Sequence, residues 1–174
     1  MENNEVLAEM QSTSMSPAEI RGFILGVQAR LERMPGAFKG DNDMCPLKHT
    51  FVNGIYVREI FIPKGMLIVG KLHKHAHPNF LLSGDVSMLT EEGAKRIQGP
   101  VAMVSPAGTK RLLYAHTDLV WCTVHSNPDN KSNLDEVEDD IIAKDYESLP
   151  NTDKEFIRIM EKEKICDIII NERN

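Results

Sequence analysis

Six histidines stand in this 174-residue chain, and three fall within five residues, in the run Lys71-Leu72-His73-Lys74-His75-Ala76-His77. A neutral imidazole offers a ring-nitrogen lone pair to a divalent metal, so such a cluster is a candidate metal site. Backbone shape decides whether it can chelate. On a regular strand the three rings would share a face, but the outer pair would lie roughly 13 Å apart, too far for one ion. A tight turn at Lys74-His75-Ala76 removes that obstacle. One strand then ends at His73, the next begins at His77, and the two become cross-strand neighbours with Cβ atoms about 5 Å apart. His75 would sit at the turn tip and is left open as a further ligand.

Two ligands do not make a good site. His125 alternates with Trp121 and Thr123, so a half-buried strand with Trp121 inward carries His125 inward too. It is the expected third ligand, whereas His116, beside Thr117-Asp118, and His49 read as bystanders. Glu59 interrupts the apolar series Ile55, Val57, Phe61, which makes it a candidate carboxylate ligand or base. Its alternative is an ion pair with a neighbouring lysine or arginine. The expected cofactor is one divalent ion, Zn, Fe, Mn or Ni; adventitious binding to a His-rich tract is the competing explanation.

The elements that would position these residues can be read from turn signals and periodicity. Ser16-Pro17-Ala18-Glu19 is a capping box with proline at the first helical position, followed by Ile20, Phe23, Ile24, Val27 and Leu31 on one face. It predicts an amphipathic helix over residues 17–32, ended by Met34-Pro35-Gly36. Residues 1–15 carry no period and read as a flexible arm. Short β-branched runs predict eight strands at 55–62, 66–73, 80–83, 86–89, 95–98, 101–105, 110–115 and 119–124. With no helix between them, the expected architecture is mainly β, an antiparallel barrel or sandwich rather than a parallel sheet. Asn133 and Asn151 could cap short C-terminal helices. The expected divisions are an arm over 1–15, a helix over 16–36, a barrel over 44–128 and a helical extension over 129–174.

Composition bounds the partners. With 20 Lys+Arg against 26 Asp+Glu, the formal net charge of -6 argues against broad nucleic-acid binding, which needs clustered cations to displace counterions. No run approaches the roughly 18 apolar residues of a membrane span, and Met1 to Met10 has no charged-then-apolar leader, so a cytoplasmic protein is expected. Cys45, Cys122 and Cys166 are odd in number and widely spaced, as reduced thiols would be.

Two stretches resemble the cupin motifs. Gly70 to His77 leading into Leu82-Ser83-Gly84-Asp85 looks like the first, with its clustered histidines and glycine turn. Gly99-Pro100 followed by Ser105-Pro106-Ala107-Gly108 looks like the second. The chain departs from the pattern in two places: His77 stands where the family usually has glutamate, and Arg111 where it usually has the second-motif histidine. More narrowly, Cys45-Pro46-Leu47-Lys48-His49, Gly54 to Glu59, Gly70 to Gly84, Pro106 to Arg111 and Val120 to His125 are similar to uncharacterised small cupin-like proteins of bacteriophages and prophages. The resemblance implies a double-stranded β-helix, or jelly roll, and implies no particular reaction.

Two functions follow as expectations. One is a small metalloenzyme acting on a small molecule inside the barrel, with the metal on His73, His77 and His125, Arg111 holding a substrate carboxylate or phosphate, and Glu59 moving protons. The other is a non-catalytic ligand-binding, phage-assembly or host-takeover protein. A homodimer is expected on either, since the apolar faces of the N- and C-terminal helices could pack on a second subunit; the alternative is that they pack on their own barrel.

Overall fold

A computed structural model describes residues 3–11, 15–37, 42–146 and 148–149. The predicted helix forms as α2 (Pro17–Leu31), with both capping-box hydrogen bonds between Ser16 and Glu19 in place. Residues 3–11 are not the frayed arm expected from their polarity. They form α1 (Asn3–Gln11), which buries Val6 and Met10 together with Ile20, Ile24 and Val27 of α2.

Eleven strands follow, among the described residues: β1 (Leu47–Val52), β2 (Gly54–Ile62), β3 (Leu67–Val69), β4 (Leu72–His73), β5 (His77–Ser83), β6 (Asp85–Thr90), β7 (Gly93–Gln98), β8 (Val101–Ser105), β9 (Leu112–Ala115), β10 (Leu119–Asn127) and β11 (Ile142–Ala143). The expected strand over 66–73 is interrupted at Gly70-Lys71, which splits it into β3 and β4 on different sheets. A strand not foreseen, β1, pairs antiparallel with β2 through a two-residue connection at Asn53-Gly54, where Gly54 takes φ +78°. Glycine takes that positive φ without the strain a Cβ would bring.

The antiparallel barrel expected from the strand pattern and from the resemblance, with its double-stranded β-helix or jelly roll, does not close. Closure requires every strand to be paired on both sides. Here the order is β1-β2-β10-β5-β8 in one sheet, β3-β9-β6-β7 in a second and β11-β4 in a third, so β1, β8, β3 and β7 are edges of open sheets. The physical reason lies in the connections. Pro63-Lys64-Gly65 and Gly84 lead the chain out of the five-stranded sheet, and it pairs next within the four-stranded one. The two open sheets pack face to face through Ile62, Leu81 and Trp121 on one side and Val86, Met88, Leu113 and Ala115 on the other.

Alternation along β6 and β9 gives the smaller sheet a second buried face, where Leu89 and Leu112 meet α1 and α2. The apolar stripe of α2 is therefore covered by the protein's own sheet. After β10, Asn133 caps α3 (Leu134–Ile141), whose Val137 and Ile141 pack on Tyr56. The helix expected from Asn151 onward lies outside the described residues, as does Cys166. Cys45 and Cys122 are buried free thiols.

Candidate metal centre

Three strands deliver three imidazoles to one place. β4 ends at His73, where Ile142 of β11 is its cross-strand partner. β5 starts at His77, opposite Ser105 of β8. His125 lies on β10, opposite Tyr56 of β2. The chain bends at Lys74-His75 between His73 and His77, but the two strands do not pair with each other, so these residues are not the cross-strand neighbours expected. Their convergence is instead tertiary. Ring centroids are 4.2 Å apart for His73 and His77, 4.6 Å for His77 and His125, and 4.9 Å for His73 and His125. One nitrogen from each ring falls within 4.8 Å of the others, and all three residues are buried.

The donor chemistry fits a metal. The Nδ1–H of His77 donates to the carbonyl of His75 at 3.0 Å, which leaves Nε2 of His77 as the lone-pair nitrogen. That Nε2 and Nδ1 of His73 are buried without a hydrogen-bond partner. Buried polar atoms are ordinarily satisfied, so two orphans on adjacent rings are what a cation would complete. His125 Nε2 and Thr123 Oγ1 share a hydrogen bond of 3.1 Å. This tri-histidine cluster is consistent with a divalent-metal site, and it does not specify which ion.

Electrostatics keep the rings neutral and ready to ligate. Burial is the main cause in each case. It holds His73 well below the usual histidine value, aided by His77, His125, Arg111 and Arg58. It lowers His77 to about 4, with Arg111 adding to the effect and the His75 hydrogen bond opposing it. It lowers His125 to about 3, with His77, Arg58 and His75 contributing.

The neighbouring residues fix the rings. Tyr56, fully buried, stacks on His125 at 6.0 Å and shares a 2.6 Å hydrogen bond with His49 Nδ1. Beside His77, Asn79 accepts from Trp121 Nε1 at 3.0 Å and donates to Ser105 Oγ at 2.5 Å. His73 also opens onto a cavity of about 720 Å³ whose walls include Arg58, Ile60, Asn79, Arg111, Trp121 and Thr123.

Not every candidate arrives at the centre. His75 is exposed and contributes its backbone oxygen, and His116 is hydrogen-bonded to Ser87 Oγ at 2.7 Å. Glu59 is on the wrong face. Tyr56 and Ile62 of β2 are buried while Ile55 and Phe61 are 41% and 38% exposed, so the odd-numbered residues point outward. Glu59 goes with them and pairs with Lys48 at 3.0 Å, the ion-pair alternative, so it does not join the three histidines. The same parity turns Arg58 inward, a residue whose neighbours in sequence gave no sign of its role.

No protein-family model matches the chain, and no curated protein is significantly similar to it. Among solved structures, ectoine synthase from P. lautus is similar with a TM-score of 0.47 and 14% identity, over 57% of this chain and 74% of that one. The cupin domain of Cnp3 from Schizosaccharomyces pombe is similar with a TM-score of 0.42 and 10% identity, over 51% and 69%. A cupin-superfamily protein from Desulfitobacterium hafniense is similar with a TM-score of 0.42 and 5% identity, over 52% and 84%. The likeness to these proteins is distant. Among the described residues, no helix is long and apolar enough to cross a membrane.

Proposed function

We propose that this protein is a small metalloenzyme in which His73, His77 and His125 hold one divalent ion and a small molecule binds in the adjoining cavity. One observation carries the reading: three buried, neutral imidazoles, two with orphaned nitrogens, meet where His73 opens onto a cavity. A resident ion would supply Lewis acidity or activate oxygen. The chain's own residues do the rest. The His75 carbonyl sets the tautomer of His77, Tyr56 braces His125, and Asn79 holds Trp121 as a wall of the cavity. Ile60, Leu113 and Trp121 keep that wall apolar. The clustered histidines of the motif-like stretch Gly70 to Gly84 support the metal-site part of this reading and no particular reaction, and the expected phage or prophage setting and homodimer belong to this proposal.

Metal content measured on protein purified without a polyhistidine tag tests it. We expect about one divalent ion per chain, lost in both His77→Ala and His125→Ala while the variants stay folded. Metal retained in both variants would refute the ligand set.

A further inference from the structure

The cavity next to the histidines is not electrically neutral. Among the described residues its walls carry Arg58, Lys71, Lys110 and Arg111 against one carboxylate, Glu32. Lys71 is held by Glu138 at 2.6 Å, and Lys110 donates to the Gly70 carbonyl at 3.2 Å. Arg58 differs, because its Nε is buried and donates to nothing. It projects from the inner face of β2, opposite Thr123, the residue that hydrogen-bonds His125. Arg111 lines the same cavity, its guanidinium 5.8 Å from the Trp121 ring. Around these polar groups the wall is apolar, with Ile60, Met66, Leu113 and Trp121.

A buried guanidinium donor without an acceptor is costly, and a bound anion relieves that cost. The volume lies within the range of small-ligand pockets, and such pockets combine apolar walls with a few fixed polar groups. We propose that the ligand is a small carboxylate with an apolar skeleton, its acid group held by Arg58 and Arg111 and its skeleton against Trp121, Met66 and Leu113. This assignment rests on the metalloenzyme reading for its catalytic meaning, but the anion subsite itself needs only the cavity and the arginines.

Calorimetric titration of the full-length protein with phenylacetate, phenylacetamide and inorganic phosphate, with and without added divalent metal, tests it. Phenylacetate should bind about tenfold or more tightly than either of the others, the scale of a lost charge-assisted hydrogen bond. Arg58→Gln should weaken phenylacetate about tenfold or more with metal content unchanged, and Arg58→Lys, which keeps the charge and loses the fork, should fall between. Equal binding of phenylacetamide, tighter binding of phosphate, no binding at all, or wild-type affinity in a folded Arg58→Gln protein would each overturn the proposal. Should Arg58→Gln not fold, the acid-versus-amide contrast on the unsubstituted protein decides. Metal bound without phenylacetate binding sinks the subsite alone; phenylacetate bound by a protein that takes up no metal sinks the metal centre alone.

Discussion

At the scale of single residues, the centre is built from groups kept uncharged by burial, and that has a consequence for pH. Unfolded histidines titrate near 6.5, whereas His77 and His125 in the folded chain titrate at about 4 and about 3. Below pH 6.5 the unfolded chain therefore binds more protons than the folded one, so stability falls with pH until the folded values are passed. The loss should run at about 1.4 kcal/mol per pH unit for each such histidine. Urea midpoints of the metal-free protein should thus drop between pH 6.5 and about 4, and His125→Gln should flatten the slope. A midpoint insensitive to pH over that window would contradict the burial of these rings in a neutral state. At this scale the histidine cluster was legible, because residue type and spacing carry it. Arg58 was not, because nothing in its own neighbourhood says which way it points.

At the scale of elements, strand parity and strand breaks decide what reaches the site. The outward residues Ile55, Val57 and Phe61 are as apolar as an inward set, so alternation along β2 alone does not reveal which face is buried. Pairing settles it: β2 lies between β1 and β10, and Tyr56 opposite His125 fixes its inner face. The turn between β5 and β6 was read from Gly84, and the structure shows why glycine stands there. Gly84 has φ +103°, and an added Cβ would sit 2.4 Å from the Asp118 carbonyl oxygen and 2.5 Å from Leu119 Cδ2. Gly93, at the β6–β7 turn, has φ +107° but open space around it. Both alanine substitutions strain the backbone, by about 1–3 kcal/mol, and only Gly84→Ala adds a clash with β10. Gly84→Ala should therefore lower the thermal midpoint clearly more than Gly93→Ala; equal effects would argue that β10 does not pack on that turn.

At the scale of the whole molecule, ligand and fold are linked. An ion that binds only the folded chain stabilises it, by about 2.7 kcal/mol when present at a hundredfold excess over its dissociation constant. Divalent metal should therefore raise the thermal midpoint of the native chain and leave that of His77→Ala unmoved, as differential scanning calorimetry would show. β11 takes part in this linkage, because its pairing with β4 fixes the backbone of His73. The sequence by itself determined the local features: the Ser16 capping box, the Asn133 cap, the turn glycines, the strand-rich middle and the inward side of β10 set by Trp121. Each of these depends on neighbours within a few residues. Only the tertiary structure decided that the sheets stay open, that α1 is a helix with a buried face, and that Glu59 faces solvent while Arg58 faces the cavity. Those outcomes depend on which distant strands pair and what covers each face, as do the three rings that meet from β4, β5 and β10, and no short-range pattern encodes them.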